Sequence, residues 1–120
     1  MADRGAPSVT MTEQEDGRAV LLTVAGRLDA RSAADLRTTL HRLVAQGRDP
    51  ILLDLAEAHI GDACALGLLL EVHRRAGRAG RRLTIVAADD RTRRLLVRVR
   101  LHGLLAESVA ARRGMLAVAR

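Results

Sequence analysis

Residues 51–70 read ILLDLAEAHIGDACALGLLL. Ile51–Leu55 is apolar except for Asp54, the pattern of an inner parallel strand covered on both faces. A short polar connection ends at Asp62, and a second apolar run starts at once. That order predicts a strand, a turn, an N-cap at Asp62 and a buried helix from about Ala63 to Ala76, with Gly77 and Gly80 as stops. The residues just past Asp62 then sit at a helix N-terminus, where backbone N–H groups point outward without intrahelical partners. Regulatory phosphates use such places. Here the residue after Asp62 is Ala63, which has no hydroxyl.

Upstream, Ser8–Glu13 alternates, with Val9 and Met11 on one face. The Glu15-Asp16-Gly17-Arg18 stretch is a turn signal, because Asp and Gly tolerate positive φ. Ala19–Ala25 alternates again, with Val20, Leu22 and Val24 facing one way, so the two runs predict a β-hairpin. Gly26-Arg27-Leu28-Asp29 leads into a helix, for which Ser32 and Asp35 form a capping-box-like start. Leu36, Leu40, Leu43 and Val44 recur at helical spacing, Gly47 closes the segment, and Asp49-Pro50 marks a loop.

Downstream, Leu83–Ala87 is the next strand, and Asp89 or Asp90 caps a third helix carrying Leu95, Leu96 and Val99. The alternation of Val97-Arg98-Val99-Arg100-Leu101 fits a strand equally well. Residues 104–109 suit a short edge strand and Ala110–Val118 a final helix. The expected fold is one α/β domain: a mixed sheet of 4–5 strands, an N-terminal hairpin followed by parallel strands, with about 4 helices. Residues 1–7 read as a flexible leader and 8–119 as the domain. The carboxyl ends of the parallel strands share one edge. Asp29, the connection after Leu55, Asp62 and Asp89 all emerge there, the edge where open α/β sheets bind ligands and partners.

Composition narrows the function classes. A chain of 120 residues buries roughly two-thirds of its unfolded surface, enough for one core without metal or disulfide staples. The chain has no Phe, Tyr or Trp, so that core is aliphatic. The lone Cys64 excludes an internal disulfide and a multi-cysteine metal site. It fits a reducing, cytoplasmic setting. MADRGAPS at the start lacks the apolar core of a secretion signal. The longest apolar run, Cys64–Leu70, is too short to span a bilayer, so membrane insertion is not expected. Net charge is +6, and every basic residue is Arg. Missing aromatics remove base-stacking platforms, and no DNA-reading motif stands out, so direct nucleic-acid binding is not expected either. Neither a phosphate-binding glycine loop nor a catalytic His arrangement is present; His41, His59, His73 and His102 are scattered. No cofactor is implied, and nothing indicates an enzyme.

With the order and spacing in view, the chain resembles the STAS domain, the family of bacterial anti-sigma-factor antagonists, over residues 8–118. GRLDARSAADLRTTL at 26–40 resembles the family's stretch after its second strand. Residues 51–70 resemble its signature strand and loop, in which Asp is followed by two small hydroxyl residues, Gly, Leu and Gly. RRLTIVAADDRTRRLL at 81–96 resembles its later strand and helix. The resemblance implies partner switching: the unphosphorylated antagonist binds an anti-sigma factor, often a serine kinase, and frees a sigma factor. Phosphorylation of the residue after the signature Asp breaks that complex. Here that residue is Ala63, followed by Cys64 and Ala65, with Leu66 and Gly67 retained. Val99 and Arg100 stand where the family often has a small residue and Gly. A further implied role is that of an accessory subunit of a membrane transporter. Monomer and weak homodimer both stay open.

The candidate partner-binding residues are therefore Asp29, Asp62, Ala63, Cys64, Ala65, Leu66 and Gly67. Each has a plainer reading. Asp62 serves as a helix cap, Cys64 as a small buried residue, and Asp29 as an acid at a helix N-terminus. Asp54 reads as a hydrogen-bonded strand residue, and no acidic set converges as a metal site would need. Arg91, Arg93, Arg94, Arg98 and Arg100, and separately Arg74, Arg75, Arg78, Arg81 and Arg82, read as solvated faces or as docking surfaces for an acidic partner.

Overall fold

The computed structural model describes residues 9–99. The order is β1 (Val9–Glu15), β2 (Val20–Leu28), α1 (Ala30–Ala45), β3 (Ile51–Ile60), α2 (Ala63–Arg78), β4 (Leu83–Ala88) and α3 (Asp90–Arg98). The sheet runs β1-β2-β3-β4. β1 pairs antiparallel to β2, while β2, β3 and β4 are mutually parallel. The four-stranded mixed sheet expected from the sequence is present, with three helices among the described residues. The expected edge strand at 104–109, the helix Ala110–Val118 and the leader lie outside them.

The hairpin forms where Asp16 and Gly17 predict it. Glu15 pairs with Val20, so the connection is a four-residue loop. The Asp16 carboxylate accepts the N–H groups of Arg18 and Ala19 at 2.9 and 3.0 Å, and Gly17 takes φ +83, a conformation that costs residues with a Cβ more. At the other end of the hairpin, β2 runs on into the parallel half of the sheet.

The main core is aliphatic throughout. Leu22, Val24 and Leu28 of β2 meet Leu36, Leu40 and Leu43 of α1, Leu53 and Leu55 of β3, Leu68, Leu69 and Val72 of α2, and Ile85 of β4. A smaller cluster of Ala19, Leu52 and Val86, with Leu21 against it, is separate. Leu52 and Val86 alternate with the main-core residues of their strands and so occupy the opposite sheet face.

β3 is longer than the apolar run that signals it. The pairing with β2 shifts between Thr23 and Ala25, and the pairing with β4 shifts between Leu53 and Asp54. The Asp54 carboxylate accepts the Ala56 N–H at 2.9 Å within this irregularity. Before it the main-core residues are Ile51, Leu53 and Leu55; after it they are Ala58 and Ile60. An odd-to-even change of the buried set is what an extra bulge residue produces. The stretch after Leu55, expected as a polar connection, is therefore strand, paired with β2 up to Leu28–Ile60.

One helix start also differs from expectation. α1 begins at Ala30, and its N-cap is Asp29 with Ser32 at the third helical position, so Ser32 answers the cap instead of being it. α3 starts after its expected cap Asp89, and of the ambiguous stretch Val97 and Arg98 close it as helix with Val99 as the C-cap.

Arg81 departs from the solvated-cluster reading: it is 6 % exposed. Its guanidinium donates to the Leu43 carbonyl near the end of α1 and to the Asp49 carbonyl, the latter through Nε at 3.1 Å. One planar fork thus satisfies carbonyls that α1 and the following loop leave unpaired. Arg81→Met is expected to lower unfolding stability by about 2–3 kcal/mol, because buried acceptors lose a charged donor. Arg74→Ala, at an exposed position, should cost less than about 0.5 kcal/mol. Urea denaturation of both variants checks the contrast.

Candidate functional site

Three aspartates cap three helices where the parallel strands end. At Asp29 the carboxylate accepts the Arg31 N–H at 2.9 Å and the Ser32 N–H at 3.3 Å. Ser32 reciprocates, its hydroxyl accepting the Asp29 N–H at 3.0 Å and donating to the Arg27 carbonyl at 2.8 Å. Arg27 Nε lies 3.1 Å from Asp29 Oδ2. Partial burial raises the Asp29 pKa, but the Ser32 and Arg31 N–H groups and the Arg27 guanidinium outweigh it and hold the carboxyl below its ordinary value of 3.8. Asp89 is lowered in the same way, chiefly by the Thr92 N–H, which it accepts at 2.8 Å.

Asp62 reaches farther. Its Oδ1 accepts the Cys64 N–H at 3.0 Å, capping α2. Its Oδ2 accepts the Ala30 N–H, also at 3.0 Å, from the first residue of α1. One carboxylate thus joins the N-termini of two helices 32 residues apart in sequence. The long β3 makes this possible, because its last residue Ile60 pairs with Leu28 and the Gly61 N–H then donates to the Leu28 carbonyl at 2.7 Å. Gly61 leaves room for Arg27: a Cβ there would stand 2.8–2.9 Å from the guanidinium and its Nε. A side chain at 61 would push Arg27 off Asp29.

Asp62, Ala63, Cys64 and Gly67 are exposed, Leu66 is half-buried and Asp29 partly so. Asp29 and the 62–67 stretch form one contiguous corner. Two site expectations change. Ala65 is 1 % exposed and belongs to the core, so it supports α2 from within and offers a partner no surface. Cys64, read plainly as a buried small residue, is exposed. Asp54 is spent on the β3 bulge. Among the described residues no group of three or more His, Cys, Asp or Glu is placed to hold a metal ion.

A groove of about 230 Å³ opens beside the corner, lined by Ile60, Gly61, Asp62, Ala63, Leu66, Arg91 and Leu95. Arg91 Nη1 donates to the Ile60 carbonyl at 3.0 Å, tying α3 to the end of β3. The sequence marks Asp89 as a cap at this same edge, which is the signal that α3 borders the site. The groove itself depends on the length of β3 and has no separate sequence signature.

This geometry matches a known architecture. The family model described as "Mlab, STAS domain" matches residues 11–106. The chain belongs to the STAS-domain family. No curated protein matches it significantly. Among solved structures it is similar to an anti-sigma factor antagonist from Mycobacterium paratuberculosis, at 20% identity and TM-score 0.73 over 89% of this chain and 96% of that one. It is also similar to the anti-sigma factor antagonist SpoIIAA in its unphosphorylated form, at 18% identity and TM-score 0.63 over 79% and 82%. A STAS domain from Rhodobacter sphaeroides, an antisigma-factor antagonist, matches at 22% identity and TM-score 0.55 over 67% and 84%. These likenesses establish a shared STAS fold. No helix among the described residues is long and apolar enough to cross a membrane.

The capping carboxylates give this STAS domain a definite acid response. Asp29 and Asp89 have folded-state pKa values below the ordinary 3.8. Their contribution to stability is present above that value and is lost as pH falls through the lower folded values. The melting temperature should hold steady down to about pH 5 and then fall. Asp29→Asn should melt below the wild type at neutral pH, with the gap narrowing as the wild-type carboxyl protonates. Thermal melts by circular dichroism across this range check it, and a constant gap contradicts it.

Proposed function

We propose that this STAS domain is an anti-sigma-factor antagonist that works by binding, not catalysis, and so promotes sigma-dependent transcription. The observation that carries the proposal is the exposed corner of Asp62, Ala63, Cys64 and Gly67 beside Asp29, held at one edge by the Asp62 carboxylate. The partner is an anti-sigma factor of the serine-kinase type, met in the cytoplasm. A reversible regulatory contact of this kind buries modest area, and charge governs its encounter rate and selectivity.

The SpoIIAA protein has a phosphorylated form. In this chain the position carried over as the phosphoacceptor is Ala63. A phosphate adds about −1.5 to −2 charge and disrupts an interface by repulsion and desolvation, and Ala63 has no oxygen to carry one. The domain therefore stays competent to bind in the presence of a cognate kinase, and its output follows abundance or a different input. The transporter-subunit role makes a different claim about the partner, namely an ATP-binding transport subunit.

The test pairs affinity capture from native lysate with a kinase assay. A captured serine-kinase-type anti-sigma factor should leave the wild type free of phosphate at residues 62–67 when ATP is supplied. Ala63→Ser should become phosphorylated and then be released. Phosphate mapped to residues 62–67 of the wild type, or capture of an ATP-binding transport subunit instead, contradicts the proposal.

A further inference from the structure

Of the arginines of α3, Arg91 lines the groove, and Arg94 and Arg98 follow it along the helix. Arg91, Arg94 and Arg98 recur at three- and four-residue spacing and share one helix face with Leu95. Arg91 and Leu95 line the groove directly. Arg94 and Arg98 are exposed, and no carboxylate among the described residues pairs with either. Of the acids nearby, Asp29 is engaged by two N–H groups and Arg27, Asp62 by the N–H groups of Ala30 and Cys64, and Asp89 by Thr92, while Asp90, the first residue of α3, is exposed. Three carboxylates are thus engaged by backbone N–H groups at this corner, and past Asp90 the charged residues of α3 are all arginines.

The floor between these charges is aliphatic. Ala63 and Leu66 of α2 face Leu95 of α3 across the end of β3. Val99, the C-cap of α3 and 41 % exposed, follows Leu95 by four residues and continues the apolar line. At about 230 Å³ the groove is below the roughly 300–1,000 Å³ typical of small-molecule sites. It suits an aliphatic anchor of a protein segment rather than a cofactor.

We propose that this groove seats an acidic segment of the partner protein, with a Leu or Ile side chain on the Ala63–Leu66–Leu95 floor and carboxylates against Arg91, Arg94 and Arg98. The inference rests on the antagonist reading and specifies its partner's chemistry. The Asp62 side of the groove repels acid, so the segment's carboxylates lie toward α3.

The probe is a short acetylated peptide with Leu between Glu residues, titrated into the purified full chain and followed by amide NMR. A matched peptide with Lys in place of Glu is the control. The acidic peptide should cause saturable shifts at Ala63, Leu66, Arg91 and Leu95, and the Lys peptide should not. The double charge reversal R94E/R98E should weaken binding about 10-fold or more, and added salt should weaken it too. Both positions are exposed, so an otherwise unchanged amide spectrum verifies the fold of the variant. Shifts confined to other surfaces, equal binding of the Lys peptide, indifference to R94E/R98E, or tighter binding of duplex DNA through the same arginines each overturns the groove assignment. An anti-sigma kinase captured equally by wild type and R94E/R98E also overturns it, yet leaves the antagonist reading intact. Acidic-peptide binding at the groove together with capture of a transport subunit supports the groove and defeats the antagonist reading.

Discussion

The two hydrogen bonds of the Asp62 carboxylate organise the edge of this domain where the parallel strands end. One closes the start of α2 and the other closes the start of α1. Each end of the bridge satisfies an N–H that an isolated helix leaves without a partner. This side chain, with the β2–β3 pairing that ends at Leu28–Ile60 and the Gly61 N–H on the Leu28 carbonyl, fixes the Asp29 corner relative to the 62–67 stretch. Asparagine in its place offers one carbonyl oxygen and keeps at most one of the two bonds as a good acceptor. The carboxylate at this position is therefore both a cap and a clamp.

Much of the fold is legible in the residue pattern because short-range chemistry dictates it. The hairpin follows from Asp16-Gly17 between alternating runs, and the caps at Asp62 and Asp89 from an acid placed just before a helical period. The parallel order follows from alternating strands and helices. Two features escape for a common reason: they are settled by partners distant in sequence. The bulge at Asp54–Ala56 reverses which residues of β3 face inward, so Ala56-Glu57-Ala58-His59 looks like a polar connection although Ala58 and Ile60 are core. Arg81 looks like one more surface cation because only the folded chain brings the Leu43 and Asp49 carbonyls to it.

The candidate site divides along the same line. Asp29, Asp62, Ala63 and Gly67 are found together at the predicted edge, since an N-cap and the turn after it are local signals. Ala65 goes into the core because the third position of α2 faces Leu69 and the sheet, a fact set by helix rotation. The groove and its arginine flank depend on how far β3 extends and on Arg91 reaching the Ile60 carbonyl. Without aromatic residues, the core and the groove floor alike are built from Leu, Ile, Val and Ala. The groove is small and aliphatic with charge at its border, and Ala63, the first residue of α2, carries no hydroxyl.

Amide hydrogen exchange at Ala30 tests the clamp most directly. Its N–H has a partner only through Asp62, across 32 residues. In the wild type it should exchange well below the rate of an open amide, and Asp62→Ala should release it while amides of central β3 such as Leu53 stay protected. An Ala30 amide that already exchanges freely in the wild type, or one indifferent to Asp62→Ala, would mean that the two helix ends are not joined and that the proposed docking edge lacks the rigidity attributed to it.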